Sequence, residues 1–222
     1  MKKALHFSTA LALLAAITTG IHAQQPAPPE LRQALQPIFD QFDTCTNTRQ
    51  KQALGARISG MAVRYDNQWA VHYYNAYCKA ILSSYEREDD RRDAILDEAD
   101  KEYDRCISLL GHETDETHVL AALIANWRIA ISPMSRMDYI KAFREHMRAA
   151  QAINAANPRI YYLQGMAKYS MPKFAGGGKD AALPLLSKAD SLFRQETVAD
   201  IFKPYWGKIA TGHYLAECRK GD

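Results

Sequence analysis

An all-α fold built of antiparallel helical hairpins is predicted by three observations. Apolar residues recur at intervals of three and four along most of the chain, as in Leu54, Ile58, Met61 and Tyr65, in Leu96, Ala99, Tyr103, Cys106 and Leu110, and in Ile140, Phe143, Met147 and Ala150. No stretch alternates apolar and polar residues as a half-buried strand would. The interruptions are short: the charged run from Glu86 to Arg92, Gly111 to Thr117, Ser132-Pro133, Asn157-Pro158, and the glycines at 176 to 178. Pro ends a helix because it lacks a donor, and Gly because it readily takes a positive φ.

Taken in order, these signals place helices near 31–43, 49–65, 68–87, 91–110, 115–131, 135–154, 159–170, 179–194 and 203–218. Pro37 falls inside the first, which is the least regular of them. In the last, Pro204 suits a first turn, and Tyr205, Trp206, Ile209 and Ala210 supply the buried side. Short loops force consecutive helices to lie antiparallel, so the middle of the chain reads as a series of hairpins.

Residues 1–23 read as a signal peptide. Lys2 and Lys3 precede an apolar run from Ala10 to Ile17 that is too short to span a bilayer, and small residues lead to a cleavage site at Ala23. The mature chain is therefore expected to be exported, periplasmic or extracellular, with no membrane span. The full chain's 28 Lys and Arg against 25 Asp and Glu become almost level once Lys2 and Lys3 are removed. No clustered basic stripe exists, which argues against nucleic acid as a partner.

Cys45, Cys78, Cys106 and Cys218 meet oxidising conditions in an exported chain, where two bridges have three connectivities open to them. Cys78 and Cys106 also lie on apolar helical stripes, where a free thiol serves as a small hydrophobe. Both readings stand at this stage.

The second helices of the hairpins share a pattern: Ala99, Tyr103 and Cys106, then Phe143, Met147 and Ala150, then Ala182, Leu186 and Ala189. With Asn157-Pro158 at a repeat boundary and Tyr162, Leu163 and Gly165 on the preceding helix, the third unit resembles a tetratricopeptide repeat. The resemblance covers about residues 68–194. It departs from the family in a period above the usual ~34 residues, in the missing Gly of the first two units and in an insertion from Met171 to Gly178. It implies a right-handed α-solenoid whose concave face, lined by first helices, holds a protein or peptide. The expected organisation is a signal peptide (1–23), an N-terminal helical segment (24–67), a repeat region (68–202) and a C-terminal capping helix (203–222).

Candidate chemistry is sparse. Gly176-Gly177-Gly178-Lys179 lacks the preceding strand and the Ser or Thr of a phosphate loop, Asp180 standing in that place, so it reads as a connector. Asp89, Asp90, Asp93, Asp97, Glu98 and Asp100 alternate with Arg91, Arg92 and Lys101, which describes a solvated face with local ion pairs. His112 and His118 flank Glu113, Asp115 and Glu116, but in no familiar metal-ligand spacing. His213 reads as a half-buried packing residue. No catalytic, cofactor-binding or metal-ligating residue is assigned.

Tyrosine is concentrated on first helices, as Tyr73, Tyr74, Tyr77 and Tyr85 and as Tyr161, Tyr162 and Tyr169. Tyr74, Tyr77 and Tyr85 share an apolar face with Ile81. Tyr73 and one of Tyr161 or Tyr162, with Asn126 and Arg128, are expected to line a groove for a protein segment. The functional expectation is a non-catalytic interaction module; the alternative is a hydrolase or small-ligand-binding protein whose site assembles from residues distant in sequence.

Overall fold

The computed structural model describes residues 28–196 and 199–220. The signal-peptide reading of residues 1–23 lies outside them. The described residues are all-α: α1 (Pro29–Thr44), α2 (Thr48–Arg64), α3 (Trp69–Ser83), α4 (Asp89–Leu110), α5 (Asp115–Ile131), α6 (Met137–Ile153), α7 (Pro158–Ser170), a 3-10 turn (Lys173–Ala175), α8 (Lys179–Phe193) and α9 (Lys208–Arg219). None of these helices is long and apolar enough to cross a membrane.

The closest packing is between chain neighbours, α3 with α4, α5 with α6 and α7 with α8, so the three hairpins form as the short loops require. The first helices also touch, α3 against α5 and α5 against α7, which stacks the hairpins side by side. The pattern positions face inward: Ala99, Cys106, Met147, Ala150, Ala182, Leu186 and Ala189 are buried, while Tyr103 and Phe143 are half-buried against the same core. Gly165 is there for closeness, since a Cβ at this position would sit 2.7 Å from Leu186 Cγ.

The glycine run is a connector. Gly176 and Gly178 have φ of 80° and 94°, and a Cβ on Gly177 would meet the Met171 carbonyl oxygen at 2.2 Å. Lys168 ties the loop down by donating from Nζ to the Gly176 carbonyl at 2.8 Å.

The C-terminal region differs from its sequence reading. Helix α9 begins at Lys208, four residues after Pro204, because residues 199–207 form a non-helical strap that opens with a tight turn, the Lys203 amide donating to the Asp200 carbonyl (2.8 Å). The strap buries Ile201 and Trp206 completely. It is pinned to α1 by Arg32 Nη2 to Asp200 Oδ1 (3.0 Å) and by Tyr205 OH to Asp40 Oδ1 (2.8 Å). Gly207, at φ 97°, turns the chain into α9. Ile209 is consequently 52% exposed, not buried, and His213 lies in solvent beside Tyr214.

All four cysteines are unbonded. Cys78 and Cys106 are buried on their helices, and burial pushes the Cys106 thiol up to about 12, which leaves it inert. Of these residues only Cys45 is partly open to solvent, its thiol donating to the Asn47 carbonyl at 3.4 Å.

Candidate functional site

A cleft of about 520 Å³ opens between the N-terminal end of α3, the α4–α5 loop and the strap. Trp69, Tyr73, Phe202 and Tyr205 give it an aromatic lining, with Leu110 and Pro204 beside them. Lys203 stands exposed at its edge, and Asp115, Glu116 and Glu196 supply the acidic side. A mainly apolar concavity with a few convergent polar groups is the usual form of a small-molecule site.

Local sequence explains how its polar floor is placed. Thr114 caps α5 reciprocally with Thr117, the Thr117 amide donating to Thr114 Oγ1 (3.2 Å) and the Thr114 amide to Thr117 Oγ1 (2.7 Å). That fixes Asp115 and Glu116 in the first turn, where the helix dipole favours carboxylates. Asn157 caps α7 by accepting from the Arg159 amide (2.9 Å), and its Nδ2 donates to Glu116 Oε1 (2.9 Å) and Asp115 Oδ2 (3.0 Å). Two helix N-termini thus meet around one carboxylate.

Arg159 completes the arrangement. Its side chain is fully buried and donates from Nη1 to Glu116 Oε1 at 3.0 Å and to Glu196 Oε1 at 2.8 Å, and from Nη2 to the Pro204 carbonyl. The guanidinium also lies 5.5 Å from the Phe193 ring centre and 5.6 Å from that of Trp206. From Trp206, Nε1 donates to Tyr73 OH at 2.8 Å, and Tyr73 OH donates in turn to Glu116. The strap, α3, α5, α7 and α8 are therefore joined under the cleft by one network.

Burial sets the protonation of this floor. Desolvation pushes the Glu116 carboxyl up to about 7, with Arg159 pulling against it. The phenols of Tyr73 and Tyr205 are both held well above their ordinary range, first by desolvation and then by neighbouring carboxylates for Tyr73 and by the hydrogen bond to Asp40 for Tyr205. Both remain neutral donors at physiological pH.

Of the groove residues read from sequence, only Tyr73 reaches the cleft, as a buried part of its floor. Tyr161 is buried with its OH on the Ala155 carbonyl (2.8 Å), and Tyr162 packs against Trp206 and Tyr214 in the core. Asn126 is half-buried and does not line the cleft. Tyr74 and Tyr77 are core, whereas Tyr85 is 38% exposed because it lies past the end of α3.

Arg128 is buried and clamped. It donates to Asp93 (3.2 Å), Asp97 (2.7 Å) and Asp100 (2.6 Å) across α4, and Arg136 joins it on Asp93. Asp93, Asp97 and Asp100 thus dock α5, while Asp89 keeps a local pair with Arg92 (3.5 Å) on the solvated face expected from sequence. Sequence reasoning missed Arg159, Glu196, Trp69 and Phe202. One signal for Arg159 was available: a cation in the first turn after Asn157-Pro158 opposes the helix dipole and requires a specific partner.

No family model matches the chain, and no curated protein matches its sequence. Among solved structures, the HusA haemophore from Porphyromonas gingivalis is similar to it at 26% sequence identity and a TM-score of 0.70, over 87% of this chain and 96% of that one.

Proposed function

We propose that this protein is an exported, non-catalytic binding protein whose aromatic cleft takes a flat, largely apolar ligand of the haem and porphyrin class. The observation that carries the reading is the cleft of about 520 Å³ lined by Trp69, Phe202, Tyr205 and Tyr73, in a fold that resembles a haemophore. Aromatic faces suit a planar conjugated ring, and Lys203 at the edge suits a carboxylate on its periphery.

The lining contains no His, Met or Cys, so Tyr73 and Tyr205 are the candidate ligands to an iron. Both phenols are kept protonated and engaged, Tyr73 with Glu116 and Trp206, Tyr205 with Asp40. Recognition therefore rests on the ring and its carboxylates, and an iron-free porphyrin should bind about as well as haem. The stacked hairpins are read as tetratricopeptide-like. The protein segment expected from sequence has less support, because Tyr161, Tyr162 and Arg128 are buried in other contacts.

Titration of the protein with haem and with protoporphyrin, followed by Soret absorbance and tryptophan quenching, tests the reading. Saturable binding of both is expected, weakened at least tenfold by Trp69→Ala or Phe202→Ala. Affinity unchanged in both variants would sink it.

A further inference from the structure

Beside the α4–α5 loop, we infer that Glu113, His118 and His146 form a binding site for a borderline divalent cation such as Zn²⁺. His118 lies in the first turn of α5, His146 on α6 and Glu113 in the loop, and one donor atom from each falls within 4.8 Å of the others. His118 Nδ1 and His146 Nδ1 are 3.1 Å apart, and Glu113 Oε1 is 3.9 Å from His118 Nδ1.

The first distance fits a metal pair as well as a hydrogen bond between the rings. Two imidazole nitrogens each ~2.0–2.1 Å from one ion are separated by about 3.3 Å at a tetrahedral angle and about 2.9 Å at a right angle. The observed 3.1 Å lies between these values, and it is the Nδ1 of both rings that is close. A plain hydrogen bond between the rings would account for the pair but gives no role to the carboxylate beside it.

The surroundings resemble a metal site beyond its ligands. Tyr103 OH donates to Glu113 Oε1 at 3.2 Å, orienting the carboxylate as outer partners of ligands do. His146 and Tyr103 also line a cleft of about 300 Å³, which leaves an entry path and a position for water. Two imidazoles and one carboxylate with an open position select zinc-like ions over calcium or magnesium, which prefer oxygen donors alone.

The cation would tie the α4–α5 loop to α6. Leu110 and Thr114 to Thr117 form one wall of the aromatic cleft, so the metal would hold that wall from behind. The site itself does not depend on what the aromatic cleft binds.

Cobalt is the probe. The untagged protein, stripped with chelator, should develop a visible d–d absorption that saturates at one equivalent of Co²⁺ and is displaced by Zn²⁺. Glu113→Gln and His146→Gln should each weaken binding at least tenfold. Glu113 is about half exposed, so its substitution leaves the fold intact. His112→Ala should bind normally, because His112 is turned to the Leu110 carbonyl. Absence of a saturable band, persistence of that band in Glu113→Gln and His146→Gln, or its loss in His112→Ala would overturn the assignment.

Discussion

Two buried arginines, Arg159 and Arg128, face carboxylates from other helices, yet they sit in different surroundings. Around Arg159, Glu116 and Glu196 keep only 20% and 32% of their side-chain surface. Around Arg128, Asp97 and Asp100 keep 63% and 49%, although Asp93 keeps only 30%. The first cluster is held in a more enclosed floor with Trp206, Phe193 and a backbone carbonyl. The second is a clamp open to water along α4. The same ion-pair chemistry therefore serves to shape a cleft in one place and to dock two helices in the other.

The sharpest way to break the comparison is to remove the cations. Arg159→Met leaves the partly buried Glu116 and Glu196 without a counter-charge and frees the Pro204 carbonyl, and a loss of about 3 kcal/mol is expected. Arg128→Met leaves aspartates that can rehydrate, and about 1 kcal/mol is expected. Urea unfolding monitored by far-UV circular dichroism gives both values. Equal losses would mean that the two environments do not differ as their exposure indicates.

Much of the fold was legible in the sequence because it is local. The spacing of Leu96, Ala99 and Cys106 or of Ala182, Leu186 and Ala189 fixes a buried stripe, and Asn157-Pro158 or the glycines at 176–178 fix a boundary. The strap was not legible. Pro204 followed by Tyr205, Trp206 and Ile209 fits an amphipathic helix as well as an extended segment, and what decides is the pocket of Tyr73, Tyr77 and Tyr162 that receives Trp206. The cleft was missed for the same reason. Trp69, Glu116 and Phe202 are brought together by the packing of α3, α5 and the strap, and no short-range pattern encodes that meeting.

Protonation gives the finest test, because Glu116 and Asp93 respond to pH with opposite sign. Glu116 is pushed up by desolvation to about 7, against an ordinary value of 4.5, so the native state holds this proton more tightly than the unfolded chain. Its contribution is fully present below pH 4.5 and is lost as pH rises through 7. Asp93 is held below its ordinary 3.8, first by the hydrogen bond from Arg136, and its contribution is present above that value and lost as pH falls through the lowered one. Asp100, in the same cluster, is raised by burial and works against Asp93. Single substitutions separate these effects. Glu116→Gln should flatten the fall in stability between pH 4.5 and 7 and leave the acid limb alone, whereas Asp93→Asn should flatten the acid limb only. The same proton should reach the ligand, since protonating Glu116 removes a negative charge from the cleft and an anionic porphyrin should bind a few-fold more tightly as pH falls through 7. If Glu116→Gln binds with an unchanged pH dependence, the carboxylate is neutralised by Arg159 alone, and the enclosed floor behaves as the open clamp does.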